Sequence, residues 1–140
     1  MKRTIKKIVA MTLAAGMLLS MSGFSALAAG NYEDSYFYNF TITGTTKYTT
    51  SRPKLDDTSA SVKLSKAATP VVVRVYGSKT QSGIKYDRTY GTPKVVGVSP
   101  YYTYLLNSVK ENGDSWACLG FTRSSVSNVT ISGAWSPDSI

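Results

Sequence analysis

Histidine is absent from the 140 residues, and cysteine occurs once, at Cys118. Without histidine the usual general base, the commonest metal ligand and the near-neutral pH switch are missing together. Ser-His-Asp and Cys-His nucleophilic sites are therefore excluded, and zinc or transition-metal spacings have nothing to build on. A lone cysteine makes no intrachain disulfide, so the fold must stand on packing. Its neighbours Trp116, Ala117, Leu119 and Phe121 are apolar, which predicts a buried, inert thiol. Acidic residues number only eight. Asp56-Asp57 reads as a loop pair pointing into solvent and Asp87 as one half of a surface ion pair. Neither these nor Glu111-Asn112-Gly113-Asp114 has the spacing of an EF-hand. Two carboxylates suffice for a glycosidase, but no pair is marked out, and a small hydrolase ranks last among the functional readings. The expectation is a non-enzymatic protein with no cofactor and no metal.

Long apolar runs are also missing, with one exception at the start. Met1 to Lys7 is basic, Ile8 to Leu19 is apolar apart from Thr12 and Gly16, and Ala26-Leu27-Ala28 has the small-x-small pattern cut by signal peptidase. Ser20, Ser22, Gly23 and Ser25 close the run well short of the ~18 apolar residues that a membrane-spanning helix needs. Residues 1–28 are thus expected to be a secretory signal peptide, cleaved after Ala28 or one residue later, with Ala26 and Ala28 as the small residues of the site. Residues 29–140 are expected to form a single domain that is secreted and left without a transmembrane anchor. Four of the sixteen basic residues and none of the acidic ones lie in the leader, so the formal charge falls from +8 to +4 on its removal.

Beyond Gly30 the pattern is that of strands. Tyr36, Tyr38, Phe40 and Ile42 alternate with Phe37, Asn39, Thr41 and Thr43 and are expected to share an aromatic inner face. Ala60, Val62 and Leu64 alternate with Ser61, Lys63 and Ser65. Val71-Val72-Val73-Arg74-Val75-Tyr76 is β-branched and nearly continuous, the mark of a central strand. Further runs are expected at 84–88, 95–98, 101–109, 116–122 and 126–135, with 136–140 a frayed tail. Turn signals separate them, Asn112-Gly113 being the strongest. Seven or eight short strands in about 110 residues give an all-β fold, a small antiparallel β-sandwich of immunoglobulin-like or jelly-roll type. A small closed β-barrel is the alternative.

Charge is concentrated in the middle of the chain. Between Lys47 and Lys110 lie eleven basic residues against Asp56, Asp57 and Asp87. Solubility and protection of sheet edges account for such lysines; an anionic partner outside the cell is the sharper alternative. That partner would be a wall polymer, a lipid headgroup or a polysaccharide. Nucleic acid is not expected, because +4 is a modest charge for counterion-driven binding. Eight of the ten tyrosines cluster at 32–38, 86–90 and 101–104. They suit sugar-stacking surfaces and a sandwich core equally well, and the core is the preferred assignment. Lys63, Arg74, Lys85, Tyr86, Arg88, Tyr101 and Tyr102 are the candidate binding residues.

Tyr38-Asn39-Phe40-Thr41-Ile42, Leu119-Gly120-Phe121 and Ser132-Gly133-Ala134-Trp135-Ser136-Pro137-Asp138-Ser139 resemble a family of small exported proteins of Gram-positive bacteria known only as a domain of unknown function. The resemblance implies a location and a fold type, and no catalytic residues. A fainter one, of class rather than motif, is to the lactococcin 972-like bacteriocins. The two together leave a surface binding module and a bacteriocin-like antimicrobial protein as the leading alternatives.

Overall fold

The computed structural model describes residues 30–140; the expected leader, with Ala26 and Ala28, lies outside the described residues. Ten strands follow in order: β1 (Ser35–Ile42), β2 (Lys47–Tyr48), β3 (Arg52–Pro53), β4 (Ala60–Lys66), β5 (Val71–Ser78), β6 (Tyr86–Asp87), β7 (Lys94–Val96), β8 (Thr103–Leu105), β9 (Trp116–Arg123) and β10 (Val129–Ser136). One sheet has the order β1-β10-β4-β8. The other runs β2-β9-β5-β6, with β3 also on β9 and β7 also on β5. Every ladder between named strands is antiparallel. The all-β sandwich is as expected, with ten strands rather than seven or eight, the additional ones being the two-residue pairings β2 and β3.

The core lies between the sheets. Val71, Val73 and Val75 of β5 are fully buried opposite Val62, Leu64 and Ile131 of the first sheet. Each such side chain contributes about 2 kcal/mol by leaving water. Phe121 of β9 reaches across to Phe37 and Phe40 of β1, at ring-centroid distances of 5.5 and 5.8 Å. Trp135 is buried beside them, with the Arg52 guanidinium 5.8 Å from its ring centroid. Gly133 lies where β10 shifts register against β4. A Cβ there would collide with the Lys63 carbonyl and crowd the Phe37 ring, so only glycine admits this approach.

One expectation about β1 is corrected. Its register slips between Phe37 and Phe40, and Asn39 takes a φ of 49°, in the left-handed region that asparagine tolerates. The Asn39 N–H is held by the Ser132 hydroxyl at 3.1 Å. The bulge switches the inward phase from Phe37 to Phe40 and Ile42. Tyr36 and Tyr38 therefore point out, 64% and 72% exposed, and do not share a face with Phe40. Nor do the other tyrosines form the core, whose buried hydrophobic side chains include none of them.

The chain's last residues are corrected as well. Asp138, expected in a frayed tail, is completely buried against Lys54, which directly follows β3. The Lys54 ammonium donates to Asp138 Oδ1 at 2.7 Å and to the carbonyls of Thr58 and Pro137 at 2.6 and 2.8 Å. Asp138 Oδ2 accepts the N–H groups of Asn31 and Leu55 at 2.7 and 3.1 Å. Every charge in this knot is satisfied. Asp56 also turns inward rather than to solvent, accepting from the Thr58 hydroxyl and N–H and from Tyr32. Burial alone would raise its carboxyl, but those hydrogen bonds outweigh it and hold the group below the usual carboxylate range.

Among residues 101–109 only Thr103–Leu105 pair as a strand. Asn107 then bends the chain, its amide bonding the Leu105 carbonyl at 3.1 Å and its carbonyl oxygen accepting the Val109 N–H.

Candidate binding groove

The outward residues of the first sheet are small in the middle and aromatic at the sides. Register places Tyr36, Ala134 and Lys63 in one row across β1, β10 and β4. The next row runs Ser136, Ser61 and Tyr104 across β10, β4 and β8. Ala134, Ser136 and Ser61 form a floor, and the two serine hydroxyls share a 2.8 Å hydrogen bond. Tyr36 and Tyr38 stand on one rim with rings 9° from parallel and centroids 6.4 Å apart. Tyr104 stands on the other, more than half exposed.

Where the floor meets the chain end there is a cavity of about 320 Å³, lined by Tyr32, Asp34, Tyr102, Tyr104, Asp138 and Ile140 among others. That volume is at the lower end of small-molecule sites. The Tyr102 hydroxyl donates to Asp34, bridging β8 to the segment before β1. The hydrogen bond, with burial and the Asp34 charge adding to it, pushes the phenol up to about 12. Lys63 Nζ lies 4.4 Å from the centroid of the same ring, a cation-π contact. Tyr32 is likewise raised, first by its hydrogen bond to Asp56. The groove thus offers aromatic faces, phenol hydroxyls and one ammonium, above two buried serine hydroxyls bonded to each other and to the Asp138 carbonyl. That is equipment for stacking on and hydrogen-bonding to a polyhydroxylated ligand.

Two of the seven candidate residues meet here, Lys63 and Tyr102. Tyr101 is near in sequence and strongly exposed. The other four lie with the second sheet. Arg74 pairs with Asp87 at 3.6 Å, so Asp87 is in a surface ion pair as expected. Lys85 is 5.6 Å from the Tyr48 ring centroid. Arg88 packs on Tyr86 and donates through Nε to the fully buried Asp114 at 2.7 Å, where Lys79 approaches at 3.3 Å. The basic residues of the central strands are therefore divided between two sheets and do not form one face. Asp34, Tyr36, Ser61, Tyr104 and Ser136 were missed as site residues. Their signal was the tyrosine clustering at both 32–38 and 101–104, which the register of β1, β10, β4 and β8 brings to a common surface.

Cys118 is buried, as expected, and desolvation pushes its thiol up to about 11. Among the described residues no cluster of three or more acidic or cysteine side chains could hold a metal ion, and no helix is long and apolar enough to cross a membrane.

A family model described as "Protein of unknown function (DUF2712)" matches residues 24–139. No curated protein and no solved structure matches the chain, and the bacteriocin resemblance gains no support from these comparisons.

Proposed function

Since the chain belongs to the DUF2712 family, of unknown function, we propose its role from its leader and its groove: an exported, non-enzymatic module that binds carbohydrate at the cell surface. The single observation that carries this reading is the pair of exposed tyrosine rims, Tyr36 with Tyr38 and Tyr104, flanking a floor of Ala134, Ser61 and Ser136. Exposed aromatic rings are stable in water at a cost, and aligned along a small-residue floor they match the apolar faces of a sugar chain. Lys63, beside the groove, favours a polymer with anionic substituents. Export is supported by the basic, apolar and small-x-small order of residues 1–28.

A non-catalytic role is supported by the occupation of the two carboxylates at the cavity. Asp34 holds Tyr102 and Asp138 holds Lys54, so neither is free to act as an acid or base on a ligand in the cavity. The test is co-sedimentation of the purified chain with isolated cell walls and with insoluble polysaccharides, compared with Tyr36→Ala and Tyr104→Ala variants. Retention of the parent chain and loss in both variants is the expected result. Equal retention of all three removes the groove from the interaction.

A further inference from the structure

We propose that Lys54 and Asp138 become covalently joined, the Lys54 amine condensing with the Asp138 carboxyl to form an intramolecular amide. Both side chains are wholly removed from solvent, and Nζ lies 2.7 Å from Oδ1. The two residues are 84 positions apart in sequence, so only the folded chain brings them together. A lysine amine is a competent nucleophile towards an acyl carbon once it is free of its extra proton, and the site supplies the remaining parts of an acyl transfer.

Asp138 Oδ2 is held by two backbone donors, the N–H groups of Asn31 and Leu55 at 2.7 and 3.1 Å. Donors fixed on a carboxyl oxygen stabilise the negative charge that develops there when the carbon becomes tetrahedral. The other oxygen, Oδ1, faces the amine and is the one to leave. A second carboxylate, Asp56, stands 3.9 Å from Nζ and also interacts with Asp138. It is placed to relay protons between the amine and the departing oxygen.

The step balances with no outside reactant. The ammonium passes one proton across the 2.7 Å hydrogen bond to Oδ1, giving free amine and carboxylic acid. The nitrogen lone pair attacks the Asp138 carboxyl carbon, and the C=O electron pair moves onto Oδ2. A second proton moves from nitrogen to Oδ1 through Asp56. The C–Oδ1 bond breaks and water leaves, while the carbonyl re-forms at Oδ2. One N–H remains on the new amide to donate to a neighbouring carbonyl, Thr58 or Pro137. Exclusion of water from the closed site opposes the reverse reaction.

The linkage would fasten the end of β10 to the segment between β3 and β4. It does not depend on the carbohydrate reading.

Intact mass spectrometry of the purified, folded chain tests it. The expected mass is lower than that of the sequence by one water, and tandem spectra of a digest contain a branched peptide joining the segments that carry residues 54 and 138. Lys54→Arg keeps the charge but is expected to show its full sequence mass. Asp56→Ala is expected to retain the fold, by circular dichroism, with a smaller cross-linked fraction in freshly made protein; an unchanged fraction overturns the relay assigned to Asp56. A parent chain at full sequence mass with native circular dichroism overturns the linkage, as does a loss of water that persists in Lys54→Arg. Should Lys54→Arg fail to fold, the branched peptide of the parent chain decides the matter, its absence counting against the linkage.

Discussion

The Tyr102 hydroxyl donates to the Asp34 carboxylate across the outward face of the first sheet, joining the edge strand β8 to the chain entering β1. The contact closes one end of the groove and orients the ring that Lys63 covers. Its signature is a phenol that ionises only at about 12. Since the folded value is raised above the ordinary one, the contact stabilises the fold fully below about pH 10 and is lost as pH climbs through about 12. Ultraviolet titration of the parent chain should show a late tyrosine step that Tyr102→Phe removes. A Tyr102→Phe titration identical to the parent would contradict the contact.

Arg88 and Lys63 were equivalent candidates in the sequence, and the structure separates them. Arg88 partners a buried carboxylate, so Arg88→Met leaves Asp114 with only the exposed Lys79 and is expected to cost about 3 kcal/mol in stability. Lys63→Met removes a half-buried cation-π contact, costing about 1 kcal/mol. Wall retention should respond in the opposite order, weakened by Lys63→Met and intact in folded Arg88→Met. Urea melts paired with co-sedimentation check both halves.

Cys118 is predicted to be silent. With its thiol raised to about 11 by burial, the native protein should not react with an aromatic disulfide reagent at neutral pH, and one equivalent should react after unfolding. Non-reducing electrophoresis should show monomer; a predominant disulfide-linked dimer would refute the burial.

Gly120 lies beneath the ring of Tyr76, on the outward side of the second sheet. A Cβ at this position would strike the ring, which in turn meets Tyr48 edge-on at 4.9 Å. Gly120→Ala is expected to lower stability by about 1–3 kcal/mol through overpacking. A Tyr76→Ala, Gly120→Ala double variant should recover part of the glycine's share, which thermal melts of the four-member cycle measure.

How much of this was legible depends on where period and burial agree. The β-branched run at Val71–Tyr76 and the alternation at Ala60–Leu64 announced β5 and β4, because strand geometry alone sorts their side chains. β1 was readable as a strand but not in phase, since the single left-handed residue Asn39 reverses which side faces the core. Tyr36 and Tyr38 consequently changed from core to groove. Lys54 and Asp138 were illegible for a different reason. A lysine and an aspartate in polar stretches look solvated, and only the closure of residues 30–34, 52–58 and 136–139 on one another removes them from water. The groove combined both difficulties: its tyrosines were conspicuous, but their convergence depends on pairing between strands distant in the chain.

Salt provides a check on the contribution of charge. Retention on walls through Lys63 and neighbouring cations should fall as ionic strength rises from ~0.01 to ~0.15 M, over which screening shortens from ~30 to ~8 Å. Stacking on the tyrosine rims is expected to leave a salt-resistant remainder. Complete loss in that range would assign the binding to charge alone.

The most direct measurement is calorimetric titration of soluble wall polysaccharide into the parent chain and into a Tyr36→Ala, Tyr104→Ala double variant that retains the β-sheet circular dichroism. The groove account predicts saturable binding to the parent, weakened at least about tenfold in the double variant, roughly 1.4 kcal/mol for the two lost stacking faces. Equal affinity in both proteins would contradict it.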